Sequence, residues 1–249
     1  MNGVILELSA VEDKIIDNKE MYSFEIHKRM SEILKIDKRE ELRVSNIFGE
    51  FFNESIKLEK GEKYKIRVIT KTQEIFLKLQ DQLFQLAINK ENLVIGDGIF
   101  QLVGIITKND TWCGEYDFDK EMKSLDVGTL SFYEKVNLKI VNPVLVKGKS
   151  IFGFEKILKI ILQNVEEDTG FETQEMEESI LNSITIKREL YREKRVNLLN
   201  DEIKVYLGDI ELVLQGYYGK MLLIFLQYVK YVGVGEFREY GFGEIISRS

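Results

Sequence analysis

The order in which two kinds of hydrophobic periodicity follow one another is the strongest constraint on the fold of this sequence. Residues 3–10 alternate as a half-buried strand does, and residues 19–36 place apolar side chains at helical spacing. Two strands about the turn EKGEK (59–63), a second helix over 74–88 and short apolar runs within 92–107 follow. The resulting order of strand, helix, strand, strand, helix, strand is that of a ferredoxin-like unit, an antiparallel sheet with both helices on one face.

The same order of elements recurs in the second half of the chain. Residues 108–125 break the periodicity, and a strand, a helix, two hairpin-like stretches, an apolar helix and a last strand come after them. In order, these elements are predicted at residues 134–143, 152–165, 183–199, 203–214, 220–232 and 244–247. The second hairpin-like stretch is expected to fold about Gly208 and Asp209 as a two-residue turn.

The two halves together predict an α+β protein of two tandem ferredoxin-like (RRM-like) domains with antiparallel sheets. The N-terminal domain is expected at residues 1–125 and the C-terminal domain at residues 126–249. The second domain would carry an inserted hairpin and a C-terminal glycine-rich loop. A chain of 249 residues, 44% of them hydrophobic, is long enough to bury two cores.

Composition excludes several classes of protein. The first ten residues alternate as a strand without a preceding basic region, and the most apolar window, residues 220–232, is too short and too polar to span a bilayer. A cytoplasmic protein with no membrane partner is therefore expected. Cys113 and His27 are the only residues of their types, which excludes a disulfide framework and zinc sites of the Cys/His type. We predict no metal site and no cofactor.

A local basic cluster stands out against the net charge of −7. The overall charge argues against indiscriminate nucleic-acid binding across the surface, yet it permits a local basic groove. The cluster lies in KRELYREKR (187–195), which contains only two acidic residues. Its basic residues are Lys187, Arg188, Arg192, Lys194 and Arg195. Taken alone, this run would be a solvated hairpin surface.

The stretch YVGVGEFREYGFGEI (231–245) contains two G-x-G pairs. A dinucleotide fingerprint needs a third glycine where this chain has Arg238, and it needs a helix after the glycines rather than before them. One alternative is a helix C-cap at Gly233 followed by a tight connection. Four glycines in eleven residues around Arg238 favour a loop whose backbone N–H groups contact an extended polyanion.

The stretch GYYGKMLLIFLQYVKYVGVGEFREYGFGEI (216–245) resembles the C-terminal end of CRISPR-associated endoribonucleases of the RAMP superfamily, which cut precursor CRISPR RNA within its repeats. The resemblance is carried by the G-x-x-G of Gly216 and Gly219 before an apolar helix, by the G-x-G pairs after it, and by the end of the chain a few residues later. VNLKIVNPVLVKG (136–148) is similar to the strand that opens the family's second domain. The tandem ferredoxin-like layout covers the whole chain.

This resemblance implies RNA cleavage without a metal ion. In such a reaction a ribose 2′-hydroxyl attacks the adjacent phosphate and leaves a 2′,3′-cyclic phosphate and a 5′-hydroxyl. One group must take the 2′-hydroxyl proton, another must protonate the 5′ oxygen, and a cation must offset the charge of the phosphorane. Histidine suits either of the first two roles, because its unperturbed pKa lies near neutrality. The family places catalytic histidines on or just after the first helix, so His27 is the candidate, with Tyr22 and Lys28 beside it. Taken singly, these residues could equally be an ordinary helix surface.

The sequence departs from the family at one position. Many members have a histidine after the first helix, where this chain has Arg43 in EELRVSN, and arginine cannot act as a base at neutral pH. Either His27 has taken the role, or cleavage is slow and relies on positioning and charge, or the protein binds RNA without cutting it. The predicted RNA contacts are Arg29, Arg43, Arg188, Arg192, Lys194, Arg195, Gly233, Gly235, Arg238, Gly241 and Gly243.

Three functions therefore remain open at this point. The first is an endoribonuclease specific for CRISPR repeat RNA, as a monomer or homodimer, alone or with other CRISPR effector subunits. The second is a non-catalytic RNA-binding subunit of a CRISPR effector complex. The third is a two-domain protein whose glycine turn is purely structural and which has no RNA role.

Overall fold

A computed structural model of the chain describes residues 1–18, 21–108, 110, 112–125, 131–146, 153–198 and 201–248. These residues fall into two units. The first comprises Met1–Glu115, Val196–Ile203 and Glu239–Gly241, and the second comprises Tyr116–Arg195, Lys204–Arg238 and Phe242–Ser249. The predicted domain boundary between residues 125 and 126 borders a segment outside the described residues and stays a prediction.

The first unit is built on an antiparallel sheet. Its elements are β1 (Asn2–Ala10), β2 (Lys14–Asp17), α1 (Ser23–Leu34), β3 (Leu42–Val44), β4 (Ser55–Leu58), β5 (Lys63–Thr70), α2 (Gln73–Asn89), β6 (Asn92–Ile95), β7 (Gly98–Ile106) and β8 (Gly114–Glu115). The strand order is β3-β5-β1-β7-β6, with β8 also paired to β1. Four neighbouring strands, β3-β5-β1-β7, follow the ferredoxin-like order, which confirms the predicted fold class for this half.

The core of the first unit lies between one face of β1 and the apolar stripes of α1 and α2. Side chains at alternate positions of a strand share a face, and residues four apart on a helix share a stripe. β1 contributes Val4, Leu6 and Leu8, while α1 contributes Ile26, Met30 and Leu34, all in one buried cluster. This packing fixes the orientation of α1, and it therefore also fixes the directions in which the side chains outside its apolar stripe point.

One local prediction for the first unit is wrong, and another lies outside the described residues. The strand before the EKGEK turn, β4, pairs with β2 in a separate two-stranded sheet and does not pair with β5. Its place beside β5 is taken by β3, a strand of three residues that is too short to show periodicity. In addition, α1 begins at Ser23, and the predicted helix start at Lys19 lies outside the described residues.

The second unit repeats the plan, with three strands of 12 to 15 residues and a short last strand. Its elements are α3 (Phe118–Lys123), β9 (Tyr133–Val144), α4 (Phe154–Thr169), α5 (Glu177–Asn182), β10 (Ile184–Leu198), β11 (Asp201–Gln215), α6 (Gly216–Val232) and β12 (Ile245–Arg248). The sheet order β10-β11-β9-β12 is again ferredoxin-like. On β9, Val136, Leu138 and Ile140 are buried, whereas the alternate residues face away from that core.

The predicted turn at Gly208 and Asp209 is also wrong. Both residues lie inside β11, which runs unbroken from Asp201 to Gln215 and pairs with β9 from Tyr206 onward. The register shifts between Tyr206 and Gly208, and a Cβ at Gly208 would lie 2.9 Å from the Tyr191 ring. The glycine thus marks a bulge and a close approach, which is the other common use of glycine in a strand.

No helix within the described residues is long and apolar enough to cross a membrane. The cytoplasmic location stays a prediction.

Candidate active site

His27 lies on α1 next to the apolar stripe, with 4% of its surface exposed. Its Nε2 is 3.2 Å from the carbonyl oxygen of Arg39 and 3.2 Å from that of Leu42. Carbonyl oxygens only accept hydrogen bonds, so in the neutral ring the proton belongs on Nε2. On the other side of the ring, Nδ1 is 3.4 Å from the hydroxyl of Ser31, one helical turn further on.

The surroundings of His27 favour its neutral form. Burial is the largest influence and lowers the pKa of the imidazole, and the Arg39 charge lowers it further. The two carbonyl hydrogen bonds and the charge of Glu239 oppose this effect without cancelling it. An imidazole that is neutral at physiological pH can accept a proton, as a general base must.

A cleft of about 520 Å³ opens beside the histidine. His27, Ser31 and Tyr240 are among its lining residues. Its basic lining residues are Lys28, Lys35 and Arg39, and its acidic lining residues are Glu25, Glu32 and Asp37. The cleft therefore brings a base together with three cations that could offset charge on a phosphate.

Tyr240 completes the wall of the cleft. The C-terminal segment Glu239–Gly241 belongs to the first unit, and it places the Tyr240 ring 4.0 Å from that of Phe24 and 4.9 Å from that of His27. Aromatic contacts of this kind hold rings in fixed relative orientations. Tyr240 therefore helps to fix the plane of the imidazole.

Of the residues predicted beside His27, the structure brings Lys28 to the cleft and leaves Tyr22 away from it. Lys28 is exposed and lines the cleft. Tyr22 is 3% exposed, its hydroxyl donates to the carbonyl oxygen of Ile95, and burial raises its pKa. A catalytic role for Tyr22 is therefore corrected to a structural one, because its hydroxyl is enclosed in the core and occupied by a backbone acceptor.

A Tyr22→Phe variant should test this structural role. Removing the hydroxyl leaves the buried Ile95 carbonyl without that donor, so we expect the free energy of unfolding to fall by about 1–3 kcal/mol. The matched control is Tyr133→Phe, where the tyrosine is 58% exposed and no stability change is expected. Urea unfolding followed by fluorescence measures both. A variant that is fully stable but inactive on RNA would restore the catalytic role.

The two predicted arginines of this half differ in their placement. Arg29 is partly exposed on α1 and its Nη1 is 3.3 Å from the Glu32 carboxylate. Arg43 lies in β3 with 6% of its surface exposed and does not line the cleft. The structure therefore does not bring Arg43 to the position of a catalytic or phosphate-binding group.

The glycine-rich loop uses its N–H groups internally. Gly233 N donates to Val229 O over 2.7 Å, Gly235 N to the Asn164 side chain over 3.0 Å, and Gly243 N to Pro143 O over 2.8 Å. The prediction that these three glycines present free main-chain donors to RNA is thus wrong. The physical reason is that a buried loop must satisfy its own backbone groups.

The glycines instead permit close contacts between backbone segments. Gly235, Gly241 and Gly243 all have positive φ, at +90°, +83° and +66°. A Cβ at Gly241 would lie 2.8 Å from the Val44 carbonyl oxygen, and one at Gly243 would lie 2.6 Å from Val234 N and closer still to Val234 O. No other residue type fits both the backbone angle and the space.

Arg238 is likewise engaged by the protein. Its Nη1 is 2.6 Å from Asp168 Oδ2 at the end of α4, and the two side chains are 20% and 14% exposed. This largely buried ion pair ties the loop to α4, so the predicted phosphate contact of Arg238 would require an existing pair to open.

The basic run 187–195 lies within the single strand β10, so the prediction of a hairpin-like stretch over residues 183–199 is wrong, and its side chains alternate between the two faces of the sheet. Arg188 and Arg192 occupy alternate positions of β10 and line an open groove of about 490 Å³ on the uncovered face of the second sheet. Lys139 of β9 and Arg248 of β12 join them there, together with Asp209 and Glu211. Lys194 and Arg195 are exposed but do not line this groove. Sequence reasoning missed Lys139 and Arg248 because only the sheet order shows that β9 and β12 lie in the same sheet as β10.

Comparison with known structures defines the class of fold. No protein-family model matches the chain, and no curated protein matches its sequence. A solved structure described as a RAMP protein binding different RNA substrates matches with a TM-score of 0.62 at 12% identity, over 100% of both chains. The chain therefore has the fold of a RAMP protein.

More particularly, the fold is that of Cas6 structures. A Cas6 product complex matches with a TM-score of 0.70 at 15% identity over 99% of each chain. A structure from a Cas6-related gene of Pyrococcus furiosus matches with a TM-score of 0.59 at 13% identity, covering 100% of this chain and 98% of that one. The tandem ferredoxin-like fold predicted from the sequence is confirmed by these matches.

Proposed function

We propose that the protein is an endoribonuclease that cuts precursor CRISPR RNA within its repeats, without a metal ion, in CRISPR antiviral defence. The observation that carries this proposal is the position of the only histidine, which lies in surroundings that favour its neutral form at the wall of a cleft lined by three basic and three acidic residues, in a chain whose whole length has the Cas6 fold. CRISPR repeat RNA is accordingly the proposed partner.

The proposed reaction uses the residues of the cleft in distinct roles. The 2′-hydroxyl loses its proton, for which His27 is the final acceptor, and the 2′ oxygen forms a bond to the adjacent phosphorus. The bond from phosphorus to the 5′ oxygen breaks, and that oxygen takes up a proton from water, leaving a 2′,3′-cyclic phosphate and a 5′-hydroxyl. The proton that His27 gained then neutralises the hydroxide left by that water, which returns the ring to its neutral form. Lys28, Lys35 and Arg39 lie where their charges would offset the negative charge of the phosphorane.

A cleavage assay in EDTA tests the function directly. The purified full chain is mixed with a transcript containing a CRISPR repeat, and the products are examined for a single cut with a cyclic-phosphate end. Such a cut supports the proposal. A product with a 3′-hydroxyl, or cleavage that requires added Mg²⁺, would contradict the mechanism.

A second candidate function is RNA binding without cleavage, as a subunit of a CRISPR effector complex. The observation that favours it is the small exposure of His27, 4%, together with the occupation of its Nε2 by backbone carbonyls. Tight, salt-sensitive binding of the repeat transcript with no cut in the same assay would support this candidate and exclude the nuclease.

Arg188 and Arg192 are proposed to contact RNA phosphates from the open face of the second sheet. An Arg188→Gln/Arg192→Gln variant should bind repeat RNA more weakly, and the slope of log affinity against log salt should flatten by about 0.7–0.9 for each phosphate that the variant no longer neutralises. The matched control is Lys57→Gln/Lys78→Gln, which removes two exposed cations of the first unit, each paired to a nearby glutamate. Filter binding at several salt concentrations measures the slopes. Equal slopes for the two double variants would show that RNA does not use this face.

A further inference from the structure

The two nitrogens of His27 have different neighbours. Nε2 faces two carbonyl oxygens of the chain, each 3.2 Å away, which accept its hydrogen and leave it no lone pair. Nδ1 therefore holds the lone pair of the neutral ring. Any proton that His27 takes up must arrive at Nδ1.

The group next to Nδ1 is the hydroxyl of Ser31, 3.4 Å away and four residues further along α1. Because Nδ1 carries a lone pair, the Ser31 hydroxyl is the donor in this contact. Ser31 is partly buried and lines the cleft, whereas His27 itself is 4% exposed. A ligand in the cleft thus meets the serine oxygen more readily than it meets the imidazole.

Resting on the function proposed above, we propose that Ser31 relays the proton of the substrate 2′-hydroxyl to Nδ1 of His27. The 2′-hydroxyl donates to Ser31 Oγ, and as the 2′ oxygen bonds to phosphorus its proton passes to Oγ. At the same time Oγ gives its own hydrogen to Nδ1, so serine is unchanged and the ring becomes imidazolium. The carbonyls of Arg39 and Leu42 hold the second N–H of that imidazolium.

The carbonyl contacts make this direction of transfer favourable. Both oxygens carry partial negative charge, and they accept a stronger hydrogen bond from Nε2 when the ring is charged. Glu239 adds a negative charge that favours the protonated ring, while the Arg39 side chain opposes it. The site therefore keeps the ring neutral at rest and supports it when it has gained a proton.

The tautomer can be measured without any reaction. His27 is the only histidine, so protein labelled with ¹⁵N-histidine gives the signals of a single imidazole. We expect long-range ¹H–¹⁵N correlations of the RNA-free protein at neutral pH to show the proton on Nε2. A proton on Nδ1 would overturn the relay, whether or not the protein cuts RNA.

The relay itself is tested with Ser31→Ala and Ser31→Thr in single-turnover cleavage. Alanine has the highest helix propensity, so the first variant should keep α1 intact. We expect Ser31→Ala to cut at least about tenfold more slowly with unchanged RNA affinity, and Ser31→Thr, which keeps the hydroxyl, to recover most of the rate. A wild-type rate in Ser31→Ala would overturn the relay alone. Uncut RNA with the wild-type protein would overturn the proposed function and the relay together.

Discussion

Replacement of His27 by alanine should lower the single-turnover rate of RNA cleavage by about 10²- to 10⁴-fold, the range that a general base contributes. The chain has no second histidine to substitute for it. RNA affinity should change little, because the buried ring is not among the exposed cations that would bind phosphates. Single-turnover kinetics with excess protein separate the two effects.

Alanine also removes a structural contact, so His27→Gln is the matched control. A glutamine amide can donate to the carbonyls of Arg39 and Leu42 as Nε2 does, yet it has no basic nitrogen. We expect His27→Gln to fold like the wild type and to be as inactive as His27→Ala. Cleavage by His27→Gln at the wild-type rate would show that His27 is not the base.

The pH dependence of the wild-type rate follows from the same surroundings. Burial and the Arg39 charge lower the pKa of His27 below its ordinary value of 6.5, against the opposing carbonyls and Glu239. Because the neutral ring is the base, the active form persists to lower pH than it would for an exposed histidine. We therefore expect the rate to fall only as the pH drops below 6.5, and an acidic limb centred above that value would contradict the assignment.

The largest expected effect on stability is that of Gly243→Ala. The φ angle of +66° costs an L-residue about 1–2 kcal/mol, and the added Cβ would strike Val234 O and N, which are part of the loop backbone. The hydrogen bond from Val234 N to Gly243 O, 2.9 Å long, would have to break or move. We expect a loss of at least about 3 kcal/mol in the free energy of unfolding, or a failure to accumulate folded protein.

Gly170→Ala is the matched control, because it separates the backbone angle from the collision. Gly170 lies in the same unit with φ of +71°, and a Cβ there would meet no atom within 4 Å. It should lose only the cost of the left-handed angle, about 1–2 kcal/mol. Urea unfolding of both variants gives the difference between their free energies of unfolding. Equal losses of stability would show that the loop accommodates the added Cβ at no further cost.

Periodicity identifies most elements of the fold but cannot assign all their partners. β1, β5, α1 and α2 have repeats long enough to be recognised, and their existence is confirmed. β3 has three residues and shows no period, so the pattern places β4 beside β5 in its stead. Gly208 suggests a turn because bulge and turn glycines look alike without the partner strand.

The candidate site is only partly predictable for a similar reason. His27 stands out because it is the only histidine. Ser31 lies four residues later, a spacing at which side chains on a helix are neighbours, so the sequence could have indicated that the two side chains are close. Tyr240 is more than two hundred residues away in sequence, and nothing local links it to α1. The prediction for the glycine-rich loop is wrong because glycine permits close packing and ligand approach equally, and only the hydrogen bonds of Gly233, Gly235 and Gly243 decide between them.

Because the backbone N–H groups of the glycine-rich loop bond within the protein, the G-x-G pattern indicates the fold of the chain and does not indicate its function. Since the glycines of this chain serve the packing of backbone on backbone, their presence follows from how the loop folds and does not depend on contact with RNA. The spacing G-x-G, then G-x-G, is accordingly a marker of architecture. A search of genomes with this pattern would collect cutting and binding-only proteins alike, and the residues of the histidine cleft would be needed to sort them.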